Sequence, residues 1–162
     1  MDFINHLRNR AYMAGIERDR LRIKQTNEVF TPTPMVQSCL DKIADQTIFS
    51  DKTKTFLDNS CGDGQFLSEV LIRKLDNGID FKTALNTIYG VDLMQDNVEL
   101  CRERLLCGHH DLRHIVEQNI VCADALRYHY RFDNTPPYDP EPPKGVVKVA
   151  EESLELFPGL YG

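Results

Sequence analysis

Apolar residues recur along this chain at two spacings, and the two alternate. Phe3, Leu7, Ala11 and Ala14 lie three to four apart, which predicts a helix over residues 3–24. NEVFTPTP interrupts that pattern. Thr33 followed by Pro34 then opens a second helix, with Val36, Leu40 and Ile43 as its apolar stripe. KTFLD, 54–58, reads as a short strand. Phe66, Leu67, Val70, Leu71 and Leu75 return to helical spacing, stopped by Asn77-Gly78. NTIYGVD, 86–92, is a second strand, and MQDNVELCRERLLCG a helix ending at Gly108. HIVEQNIVCAD holds a third strand, ending near Cys122. From Asp133 the texture changes. DNTPPYDPEPP has five prolines and excludes helix or central strand. GVVKVA, 145–150, can form one more short strand before an acidic tail.

Strands alternating with helices predict an α/β domain with a parallel sheet and right-handed crossovers. The expected division is an N-terminal helical arm over 1–30, a core over 31–132, and a Pro-rich segment with a short tail over 133–162. Ligands of such sheets sit at the carboxyl ends of the strands. Gly62 and Gly64 fall there, between a strand and a helix. Glycine permits positive φ and a close backbone approach, and the helix start offers N–H groups to an anionic ligand group. The next strand ends in Asp92, whose carboxylate can accept from ribose hydroxyls. The third ends in Cys122-Ala123-Asp124. Singly, each feature has a plain structural alternative: Asp92 as a strand-end acid, Asp124 as the cap of a helix over ALRYHY. The value lies in the series.

Composition narrows the picture. The 162 residues suit one domain; 41% are hydrophobic and 27% charged, the texture of a globular chain. Net charge is −6, against a generally basic nucleic-acid coat. It is uneven: Arg8, Arg10, Arg18, Arg20, Arg22 and Lys24 leave residues 1–24 at +3, whereas residues 132–162 stand at −4. The basic arm can touch phosphates or form a solvated helix face. No apolar stretch reaches membrane-spanning length, and the first residues lack the apolar region of a signal peptide. Five cysteines without CxxC spacing fit reduced thiols in a cytosol. Cys107, His109, His110 and His114 cluster, but no second ligand pair accompanies them, so they read as a polar turn and not a metal site.

Four segments in order, EVFTPTPMV, LDNSCGDGQFL, GVDLMQDNVE and VCADAL, resemble the motifs of S-adenosylmethionine-dependent DNA adenine-N6 methyltransferases. The resemblance covers about residues 25–128 and implies a Rossmann-like methyltransferase fold. It implies that Phe30, with Thr31 beside it, packs near the methionine part of S-adenosylmethionine. Asp58, Cys61, Gly62 and Gly64 would form the turn around its amino-acid end. Asp92 would take the ribose hydroxyls and Asp124 the adenine amino group, with Leu93 and Ala125 flanking the ring. Family members usually read DPSCG; here Asn59 stands in the proline's place.

The family's catalytic motif is an Asn or Asp, two prolines and an aromatic residue at the end of a fourth strand. Its amide and a proline carbonyl accept from the target amine, and the aromatic stacks on a flipped base. Asn134, Pro136, Pro137 and Tyr138 correspond, with Thr135 inserted between the Asn and the prolines. YHYRFD makes a poor fourth strand, and the 24 residues after Tyr138 are too few for the family's remaining parts. Two expectations follow: a small cytoplasmic DNA methyltransferase completed by oligomerisation or a complementary subunit, or a truncated methyltransferase-like domain that binds without methyl transfer. Either leaves the first strand's outer edge in need of cover. Either residues 145–150 pair there with 54–58, since eleven extended Pro-rich residues reach roughly 35 Å, or that face is buried in an oligomer.

Overall fold

The computed structural model describes residues 3–8 and 31–136. Its elements, in chain order, are α1 (Phe3–Arg8), α2 (Thr33–Asp41), β1 (Phe56–Asp58), α3 (Gln65–Asp76), α4 (Phe81–Leu85), β2 (Ile88–Asp92), α5 (Gln95–Leu106), α6 (Arg113–Asn119) and β3 (Ile120–Cys122). Single 3₁₀ turns at Gln46–Phe49 and His110–Leu112 complete the set. Local chemistry sets many of the boundaries. Pro34 sits in the first turn of α2, and the Asp80 side chain caps α4 by accepting from the Thr83 N–H. α3 ends at Asn77, after which Gly78 turns left-handed.

The three strands form one parallel sheet in the order β1-β2-β3, with Phe56 opposite Ile88 and Gly90 opposite Ile120. Both crossovers step the same way. α3 lies over β1 and β2, α5 over β2 and β3, and the two helices touch each other. α1 and α2 pack on them from outside. This helix side holds the main core, including Leu7, Val36, Phe49, Leu67, Leu71, Ile88, Leu105 and Ile120. Each such side chain, fully buried, contributes about 1.5–3 kcal/mol.

The opposite side is covered differently. After β3 the chain turns back and runs along the sheet as a strap, residues 128–132. Val91 and Ala123 are buried under Tyr128, with Val121, Ala125, Tyr130 and Phe132 around them. The Phe132 ring packs on Tyr89 at 4.8 Å. Tyr130, Phe132 and Asn134 are all left-handed, an uncommon state for residues other than glycine, and this curls the strap.

Several sequence expectations change here. HIVEQN belongs to a helix, so the third strand is confined to 120–122. Local spacing could not separate a short helix from the strand it feeds. ALRYHY is no helix; Asp124 closes a turn instead, accepting from the Leu126 N–H at 2.9 Å. α4 and both 3₁₀ turns carried too little periodicity to be foreseen. Residues 9–24 of the first predicted helix, and residues 145–150, lie outside the described residues. Among the described residues no strand lies beside the outer edge of β1. The Phe56 N–H bonds Thr87, so the alternate Leu57 directs its N–H and C=O to that edge. No helix among the described residues is long and apolar enough to cross a membrane.

Candidate functional site

The chain from Asp58 to Gly64 makes a tight turn between β1 and α3. Gly62 and Gly64 both have positive φ, +51° and +87°. Cys61 donates its N–H to the Val91 carbonyl, which ties the turn to β2. Gly90 makes that contact possible: a Cβ there would stand 2.9 Å from the Cys61 Sγ and from Leu67. A Cβ on Gly64 would stand 2.7 Å from the Cys101 Sγ on α5. The turn is therefore seated between sheet and helix with no room for a side chain at Gly64 or opposite it at Gly90. No side chain caps the start of α3, which leaves its first N–H groups available to a ligand.

Asp92 organises this end of the sheet. One carboxylate oxygen accepts from the Gly62 N–H at 2.9 Å; the other accepts from the Met94 N–H at 2.9 Å and the Asn97 side chain at 3.2 Å. Two oxygens offer about four acceptor sites, so one place remains for a ligand hydroxyl. Asp58 holds the Ser60 N–H at 3.1 Å. Burial pushes its carboxyl above the ordinary range, and the nearby Asp92 charge adds to that. The Cys61 thiol is pushed well up by its hydrogen bond to Cys101 and by burial, so Cys61 is not poised as a nucleophile.

The sheet register sets the spacing of the acids. Asp58 pairs with Gly90, two residues before Asp92, and Asp92 pairs with Cys122, two before Asp124. At about 3.3 Å per residue the three acids climb in two steps over roughly 13 Å. Leu93, 67% exposed, stands beside Asp92, and half-buried Ala125 follows Asp124. This gives a ledge with a glycine turn at one end, an acid in the middle, and an acid with apolar neighbours at the other. Thr31 is half-buried just ahead of α2. Thr33 accepts from the Gln65 side chain at 2.8 Å, bringing the start of α2 to the glycine turn. Phe30 lies outside the described residues.

Asn134 and Pro136 are not brought to this ledge. The Phe132 carbonyl accepts from the Gln118 side chain at 2.8 Å, and Gln118 precedes the first residue of β3. The strap has thus travelled from the carboxyl edge of the sheet to the amino edge before Asn134 is reached. No fourth strand carries the motif among the described residues, and Thr135 is held by Asp133 in an exposed turn. Pro137 and Tyr138 lie outside the described residues. Among the described residues no group of three His, Cys, Asp or Glu side chains could hold a metal ion. His109 instead packs on the Phe3 and Phe81 rings.

Sequence reading missed Asn97, Gly90 and Cys101 as parts of the turn's seat. Asn97 sits in the first turn of a helix, where nothing local marks its bond to Asp92; Gly90 in a strand hinted at a close approach. The sequence matches no protein-family profile, no curated protein and no solved structure.

Proposed function

We propose that this chain is an S-adenosylmethionine-binding domain of the adenine-N6 DNA methyltransferase type, with a Rossmann-like core. The observation that carries the reading is the Asp92 carboxylate: it fastens the glycine turn at Gly62 and keeps an acceptor site open at the carboxyl edge of β2. Cys61, Gly62 and Gly64 would surround the amino-acid end of the cofactor. Asp58, half-buried with its one bond to Ser60, would face the ammonium, whose charge offsets what burial costs the carboxylate. Asp92 would take the ribose, Asp124 the adenine amino group, and Leu93 and Ala125 the ring faces. Phe30 and Thr31 would close the methionine side. The cofactor supplies an electrophilic methyl group; the chain's own part is to bind and orient it.

The position of the strap favours the binding-domain form of this reading over a self-sufficient enzyme. With Phe132 at the amino edge, Asn134 and Pro136 would need a different course to meet the methyl group. Methyl transfer to DNA would then draw its target-binding groups from a second copy or a complementary subunit. The five cysteines form no disulfide among the described residues, which suits a cytoplasmic setting.

Calorimetric titration with S-adenosylmethionine tests the site. Asp92→Asn keeps the side chain's shape and removes its charge. The expected loss is about 1.5–3 kcal/mol of binding, the worth of a charge-assisted hydrogen bond. Wild-type protein that takes up no cofactor at millimolar concentration sinks the reading. If cofactor binds, a methyl-transfer assay on DNA, alone and with natural partners, separates enzyme from binding subunit.

A further inference from the structure

Arg104 on α5 is the largest fully buried side chain of the described structure. A buried guanidinium survives only with its donors matched. Its Nε donates to the Leu7 carbonyl on α1 at 3.1 Å. One terminal nitrogen reaches the carbonyl and carboxylate of Asp63, both at 3.4 Å, and the other the Gln65 side chain at 2.5 Å. Asp63 and Gln65 flank Gly64. Gln65 in turn donates to Thr33. A single planar fork thus holds α1, both sides of the glycine turn and, through Gln65, the start of α2. A second fork reinforces it: Arg8 of α1 clasps buried Glu69 of α3 at 2.7 and 2.6 Å.

We propose that Arg104 is a positioning residue for the glycine turn, so that docking of α1 sets the shape of the turn and with it the affinity of the cofactor site. With α1 seated, the Leu7 carbonyl fixes one end of the guanidinium, and rigidity of the fork fixes the other at Asp63 and Gln65. Without α1 the fork loses that anchor, and its hold on Asp63 and Gln65 loosens. Gly64 is then no longer pressed against Cys101, nor Cys61 against Gly90. The coupling is reciprocal: bound cofactor must tighten α1 by the same factor by which seated α1 tightens cofactor. The affinity part rests on the cofactor reading above. The link between α1 and the turn does not.

The thiols report the turn without any cofactor. Full-length protein is treated with iodoacetamide under native conditions, and labelling of Cys61 and Cys101 is followed by mass spectrometry. Arg104→Lys keeps the charge and loses the fork; Arg8→Gln loosens α1 and leaves Arg104 in place, so a folded variant remains if the first is too damaging. Both thiols are expected to label about tenfold faster in either variant, through local opening of the turn. Unchanged rates overturn the proposal. So do rates that rise only as far as the loss of global stability in a urea titration accounts for. Cofactor affinity, by calorimetry, is expected to fall at least about fivefold in both variants; equal affinity in wild type and variants also overturns it. If wild-type protein binds no S-adenosylmethionine, the cofactor reading fails and the labelling result alone decides whether α1 governs the turn.

Discussion

The two faces of the sheet are covered by different means. On one face α3 and α5 lay apolar stripes across all three strands, and α1 and α2 seal the outside. On the other a curled strap sets three aromatic rings, Tyr128, Tyr130 and Phe132, on Val91 and Val121. Leu57 on that second side stays 53% exposed. The helix face is deep enough to bury Arg104 and Lys74, each with partners: the Lys74 ammonium donates to the carbonyls of Asp51 and Lys54. Among the described residues the strap face buries no charged side chain. A helix brings its own backbone hydrogen bonds, so it can be pressed on a sheet wholesale. A strap must turn its backbone outward and can offer only rings. Stability and the glycine turn therefore belong to the helix face, and the strap mainly shields the sheet from water.

That contrast is open to direct attack. The largest effect is expected on the helix side: Leu71→Ala, at a fully buried position, should cost about 3 kcal/mol, whereas Phe132→Ala on the strap should cost about half that. Urea titrations of the two variants measure the gap, and equal losses would make the strap a second core.

Next in size is the seat of the turn. Gly64→Ala sets a Cβ against the Cys101 Sγ in a left-handed residue, and a loss of about 2 kcal/mol is expected. Adding Cys101→Ala should recover part of it, since the two positions touch. Strict additivity in that double-mutant cycle would show that contact to be unimportant.

The smallest effect is pH-dependent. Burial raises the folded-state pKa of Asp58, so folding favours its protonated form. Its contribution is fully present below the unfolded carboxylate pKa and is lost as pH rises through the folded value. Asp58→Asn, which mimics the protonated form, should therefore leave stability unchanged in acid and raise it above the carboxylate range. A variant equally destabilised at every pH contradicts this. The ionised acid then weakens the fold at neutral pH, as an acid kept for a ligand would.

Much of this was legible from residue spacing. The stripe Phe66, Leu67, Val70, Leu71, Leu75 has a helical period over two turns, and α3 follows it. Asn77-Gly78 marked its end by a left-handed glycine, a purely local requirement. Strands ending at Asp58 and Asp92 were readable because an acid after an apolar run breaks the buried pattern. The course of residues 124–136 was not readable. YHYRF alternates large rings with polar residues, as a strand would, but among the described residues it pairs with no strand and packs on the sheet mainly by its rings. Position relative to the sheet decides between those outcomes, and spacing does not encode position.

The sequence by itself determined the alternation of helix and strand, the left-handed turn at Gly62 and Gly64, and the acids at the strand ends, because each follows from the backbone preferences of a few adjacent residues. Only the tertiary structure decided that Gly90 makes room for Cys61, that Asn97 shares Asp92 with Gly62, that Arg104 joins α1 to the turn, and that Phe132 ends beside Gln118 at the amino edge of the sheet. Each of those pairings links residues between 5 and 97 positions apart. Distant partners such as Leu7 and Arg104 meet only when the packing of whole helices on the sheet has fixed where each element lies, and close ones such as Asp92 and Asn97 bond only when the turn and α5 are both in place.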